Sequence, residues 1–198
     1  MSIPEFGPNP VRVIACGALA REIEVLSQTP ALSHISLTCL PAILHNHPDR
    51  IPDAVDDAIV KARAEGWDNI FIGYADCGTG GALDKVCEKH GVQRIDGPHC
   101  YAFFTGIETF TGWEEHDAFY LTDFLARQFE AFVIKPLKLD KHPELIPMMF
   151  GNYNKIVYLE QQPEALVEQK ARAAAAYLKL EFHKRPTGLA GLADALRA

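Results

Sequence analysis

The chain has 198 residues, 48% of them hydrophobic and 23% charged, and carries a net charge of -7. This composition argues against a disordered, fibrous or low-complexity protein and leaves room for a sizeable core. The acidic balance argues against nonspecific binding to nucleic acid or to an anionic membrane, both of which need a basic face, and no apolar run approaches the roughly 18 residues of a bilayer span.

The opening MSIPEFGPNP has neither a basic n-region nor an apolar h-region, so no signal peptide is expected and a cytoplasmic location is. Residues 11–16, VRVIAC, form a short β-rich run stopped at Gly17. ALAREIEVLSQ follows with Ile23 and Leu26 at helical spacing. ISLTCL (35–40) is a second strand, closed by Pro41. Pro52 and Asp53 open a helix with Val55, Ile59 and Ala62 on one face and Gly66 at its end. NIFIGYA (69–75) is a third strand, running into the loop DCGTGG. The helix ALDKVCEKHG and a short strand, VQRID, lead to GPHCY.

Residues 102–150 are aromatic-rich and predict helix, with DAFYLTDFLARQFEAFVI the longest piece. KIVYLE (155–160) reads as a last buried strand, followed by a helix over about 163–178, a short LKLEFHKRP segment and a terminal helix. Strand–helix alternation with continuously apolar strands predicts an α/β fold. A mostly parallel sheet would be flanked by helices in a Rossmann-like three-layer sandwich. With no repeat and no linker, a single domain over 1–198 is expected.

Five cysteines are an odd count and no disulfide framework is expected in a reducing compartment, so position must separate ligand from core residue. Cys16 ends the first strand, Cys77 follows the third, and His99–Cys100 follow the fourth. In open α/β sheets functional groups gather at these carboxyl edges. Three thiolates with an imidazole suit zinc, another soft metal or an iron–sulfur cluster. Cys16, Cys77, His99 and Cys100 are therefore the candidate metal ligands. Any one alone would ordinarily be a small buried residue, and Cys39 and Cys87 are read that way.

LPAILHNHPDRIP places His45 and His47 after the second strand. Either could ligate a metal or act as acid or base near neutral pH, against the plain reading of a polar surface loop. His45 and His99 are the catalytic candidates. His34, His90, His116, His142 and His183 are expected at the surface. In DCGTGG, the amides of Gly78, Gly80 and Gly81 could hold the anionic part of a cofactor. A GxGxxG fingerprint fails, because Leu83 takes the last glycine position. Turning residues are the plainer reading of the same glycines. The stretch HCYAFFTGIETF, continuing to Trp113 and Tyr120, reads as core, or as an apolar wall beside Cys100.

Taken together, ACGALAREI, LPAILHNHPDRIP, GYADCGTGG and RIDGPHCYAFFTG resemble the bacterial and archaeal family called domain of unknown function 1638, over roughly residues 11–185. The resemblance implies a setting beside corrinoid-dependent methylamine- and betaine-type methyltransferases, hence one-carbon metabolism. Cys16, His45, Cys77, His99 and Cys100 fall inside the matching blocks. The leading expectation is a thiolate/His metal-site protein holding zinc, with an iron–sulfur cluster or a cobalt corrinoid as other possible groups. It would act on a small-molecule substrate or with a corrinoid methyltransferase system. The alternatives are an accessory or chaperone protein for such a methyltransferase, an adenosylmethionine- or nucleotide-binding enzyme using DCGTGG, and a hydrolase with Cys77 as nucleophile.

Overall fold

A computed structural model describes residues 9–106, 110 and 115–197. Trp113, expected in the aromatic wall, lies outside them. The described residues pack into two compact units, one within 1–100 and 192–198 and the other within 101–191. Each carries its own sheet, and both sheets are parallel throughout and flanked by helices, as the alternation of strands and helices predicts.

In the first unit, β1 (Val11–Cys16), β2 (Ile35–Leu40), β3 (Ile70–Gly73) and β4 (Gln93–Arg94) lie in the order β2-β1-β3-β4. The chain leaves β1 through α1 (Ala20–Ser27) to one side. It returns through α2 (Ile51–Ala64) to the other, and α3 (Ala82–His90) then leads to β4. The direction of winding thus reverses between β1 and β3, the position where open α/β sheets form a crevice beyond their strand ends. The apolar faces of α2 and α3 explain the packing. Ile51, Val55, Ile59, Leu83 and Cys87 are buried against Ile14 and Ile72. Lys89 and His90 of α3 both pair with Asp56 of α2, and Arg12 stacks 4.1 Å over Trp67. Two sequence expectations change. Cys39 is exposed, because β2 is an edge strand, and His34 and His90 are partly buried where surface positions were expected.

In the second unit, α4 (Ala102–Thr105) precedes β5 (Ala118–Thr122), β6 (Lys155–Glu160) and β7 (Glu181–Pro186), which pair in chain order. Residues 155–160 are the centre of this second sheet and do not extend the first. The aromatic stretch from Asp117 also differs from the helix predicted for it. Ala118–Thr122 is a strand, which suits residues apolar on both faces better than a helix with one buried stripe. The Thr122 side chain then accepts from the Leu125 N–H and caps α5 (Asp123–Arg127). A π-helical turn (Glu130–Ile134) follows, then α6 (Ile146–Phe150), and α7 (Ala165–Leu178) after β6; α8 (Ala190–Ala195), after β7, begins in this unit and ends in the first. Among the described residues no helix is long and apolar enough to cross a membrane.

At the carboxyl edge of this second sheet stands Asp123, fully buried. Its Oδ1 accepts from the Tyr158 hydroxyl at 2.7 Å and the Gln161 amide at 3.3 Å, and Oδ2 accepts from the Gln162 amide at 3.0 Å. The Asp123 amide donates to Gln161 Oε1 at 2.7 Å. A buried carboxylate is tolerated only with such a set of donors, and removing it strands all of them. Asp123→Ala is expected to cost about 3 kcal/mol in urea unfolding and Tyr158→Phe about 1 kcal/mol. Equal losses for the two variants would count against a network centred on the carboxylate.

Candidate functional site

The site begins with backbone. Beyond the end of β3, the Asp76 amide donates to the Gly97 carbonyl at 3.0 Å and the Cys77 amide to the Pro98 carbonyl at 2.9 Å. These two bonds continue the pairing of β3 with β4 after both strands have formally ended. They carry residue 77 alongside residue 100. Cys77 itself adopts a left-handed φ of 49°, a conformation costly for a residue with a Cβ and one that commonly marks a functional position.

Asp76 fixes the rest of the loop. Its carboxylate accepts from the amides of Gly78, Gly80 and Gly81, at 3.2, 3.3 and 2.9 Å, and from the Thr79 hydroxyl at 2.9 Å. The Gly81 amide is the foremost cause of a carboxyl pKa held below its ordinary value. The glycine amides that were candidates for gripping a cofactor's anionic group thus already face an anion, and that anion belongs to the chain. Gly78, Gly80 and Gly81 have φ values of 83°, 60° and 82°, so a glycine is needed at each to let the amides turn inward.

With the loop so held, Cys77 Sγ and Cys100 Sγ are 2.9 Å apart. Their protons are shared unequally. The hydrogen bond from Cys100 holds the Cys77 thiol below the ordinary thiol pKa, against the opposing effect of burial. The same bond, with burial added, pushes Cys100 well above it. Cys16, at the end of β1 and only 3% exposed, is raised by burial and lies close enough to Cys77 to feel its charge. Beside it is Tyr74, whose ring is 1% exposed. Its hydroxyl faces the Cys16 thiol, meets no other polar group of the described residues at hydrogen-bond geometry, and is pushed up in pKa by burial and then by the three neighbouring thiols.

The two histidine candidates stand together at the rim. His45 lies in the short turn Ala42–Asn46 and His99 is partly buried. Burial lowers the pKa of both, and His99 lowers that of His45 further. His45 is exposed by surface area, yet its ring has enough protein around it for this effect. The next short turn, Pro48–Arg50, reaches the glycine loop, since Pro48 would contact a Cβ on Gly78 at 3.5 Å. His47 is exposed, as are His116, His142 and His183.

The structure therefore brings together Cys77 and Cys100 at hydrogen-bond distance, with Cys16 behind them and His45 near His99. Among the described residues, no three Cys, His, Asp or Glu side chains stand in an arrangement that holds a metal ion. Tyr74 escapes the sequence reasoning, and Asp76 enters it only as part of DCGTGG. Tyr74 carries a faint signal, a hydroxyl at the end of an otherwise apolar strand. Asp76 carries a clearer one, because an acidic residue just before successive glycines favours side-chain-to-backbone loops.

The split between the two thiols has a kinetic consequence. In reduced, metal-free protein Cys77 is expected to be the fastest of the five cysteines to react with iodoacetamide. Because its pKa is lowered, the rate should fall only as pH drops through a value below that of an ordinary thiol. Cys100→Ala removes the hydrogen-bond donor and should move that midpoint upward. An unchanged midpoint would exclude Cys100 as the source of the shift.

No curated protein and no solved structure matches this chain. Residues 39–196 match the family described as Protein of unknown function (DUF1638), which takes in the end of β2 and the whole of the loops that carry His45, Cys77, His99 and Cys100. The match covers most of the chain, and the protein belongs to the DUF1638 family.

Proposed function

We propose that this is a cytoplasmic thiolate-centre protein whose Cys77–Cys100 pair, with Cys16 beside it, takes a soft metal ion, zinc foremost. His99 or His45 completes the shell. The observation that carries the reading is the 2.9 Å approach of the two sulfurs beyond the carboxyl ends of β3 and β4, next to the reversal point of the first sheet. The donor chemistry fits, since thiolates prefer soft and borderline ions. So does the buried Tyr74 hydroxyl left facing the thiols. Two sulfurs on one tetrahedral zinc, each about 2.3 Å from it, stand about 3.8 Å apart. The pair must therefore open by roughly 0.9 Å to admit the ion.

Three thiols suit zinc better than an iron–sulfur cluster, which takes four cysteines; Cys39 is exposed on the sheet edge and Cys87 belongs to the core packing of α3. When bound, the ion supplies a Lewis acid that activates a thiol or water. Corrinoid-linked one-carbon metabolism, on a small substrate or beside a corrinoid methyltransferase, is supported by the family resemblance alone. A purely accessory role would use the same site without turnover. An adenosylmethionine- or nucleotide-binding role draws less support, because Asp76 already occupies the glycine amides.

The test is elemental analysis of full-length protein purified without oxygen, followed by cobalt(II) substitution read as thiolate-to-metal charge transfer. We expect about one equivalent of metal in the wild type. It should be lost in Cys77→Ser and in Cys100→Ser and weakened by about 10- to 100-fold in Cys16→Ser. Less than about a tenth of an equivalent of zinc, iron or cobalt would overturn the reading.

A further inference from the structure

The distance between Cys77 and Cys100 speaks to a second chemistry. A covalent S–S bond is about 2.05 Å long, so the 2.9 Å pair needs less than about 1 Å of travel to close. Nothing competes well for either partner. Cys39 lies exposed on the edge strand, Cys87 is packed inside α3, and Cys16 is sealed at 3% exposure at the end of β1. Cys77 and Cys100 are both only partly buried, whereas Cys16 and Cys87 are buried. The chain separation of 23 residues is bridged by the backbone bonds from Asp76 and Cys77 to Gly97 and Pro98, which hold the two loops in register before and after any bond forms.

From this geometry we infer that Cys77 and Cys100 are a reversible dithiol–disulfide couple, closed by a low-molecular-weight disulfide and opened by a thiol. One thiolate of the pair attacks a sulfur of the reagent disulfide, forming a mixed disulfide and expelling one thiolate. The second cysteine, as thiolate, then attacks the protein sulfur of that mixed disulfide and expels the other. Two protein thiols are oxidised by two electrons, the reagent is reduced to two thiols, and the two protons from the cysteines end on them. Closure consumes two of the donors of the thiolate centre. Resting on the metal-binding reading above, it would make the disulfide the state that cannot take an ion.

The experiment uses full-length, reduced, chelator-treated protein equilibrated without oxygen in glutathione buffers of rising oxidised fraction, then acid-quenched and mapped by mass spectrometry. We expect one intramolecular link, Cys77 to Cys100, with a mass lower by two hydrogens and full reversal by dithiothreitol. Cys77→Ser and Cys100→Ser should each stop at a glutathione adduct on the remaining cysteine. Zinc-loaded protein taken through the same series should lose its zinc in step with the link. Absence of the Cys77–Cys100 link in the wild type, or a link from either residue to Cys16, would overturn the couple whether or not the variants fold. If the reduced protein takes up no zinc, the metal-binding reading fails separately, and the mapping still decides the couple.

Discussion

Two backbone hydrogen bonds, from Asp76 to Gly97 and from Cys77 to Pro98, are the constraint on which the candidate site depends. Parallel strands diverge into separate loops at their carboxyl ends, and side chains there have no reason to meet unless the loops are tied. Here the tie lies just below the sulfurs. It holds Cys77 in a backbone conformation that most residues avoid, and the Asp76 carboxylate stabilises the turn from the other side by collecting the loop's amides. The unequal sharing of protons between Cys77 and Cys100 follows from that enforced closeness.

The two sheets use the same kind of position differently. In the first, winding reverses between β1 and β3, and the strand ends there carry thiols and a buried hydroxyl turned toward them, while the neighbouring histidines come from the loops after β2 and β4. In the second, strands follow chain order and the carboxyl edge is closed by Asp123, whose oxygens are met by a tyrosine hydroxyl and two backbone amides. Satisfied polar groups stabilise, whereas the buried Tyr74 hydroxyl has only a thiol before it.

Strand–helix alternation was legible because both sheets are parallel and β1, β3 and β6 are apolar on both faces, which leaves a strong local pattern, while the charged β7 gave none. What the pattern could not carry was the partner of each strand. Lys155–Glu160 has the composition of any buried strand, and nothing within it says that it pairs with Ala118–Thr122 and not with β1. The helix expected over Ala118–Thr122 failed for a related reason, since four apolar or aromatic residues in a row satisfy either period. At the site, strand-end position singled out Cys16, Cys77 and Cys100. Sequence position does not encode depth, so it could not show that two of them touch while the third sits behind. Cys39 reads as core on the same ground, because an edge strand and a central strand can be equally apolar.

β4 is only two residues long and pairs with β3 at just two positions. It is also the outermost strand on its side of the sheet. Even with the bonds from Asp76 and Cys77 that extend its pairing, an outermost segment this short is among the first to open in native-state fluctuations, at a free energy well below that of global unfolding. Cys100 hangs on that segment and Cys77 on the stiffer end of β3. Fraying of a single short strand therefore gives the sulfurs an excursion in which they part and reclose while the cores of both units stay folded, which makes the lifetime of that edge the clock for any exchange at the site.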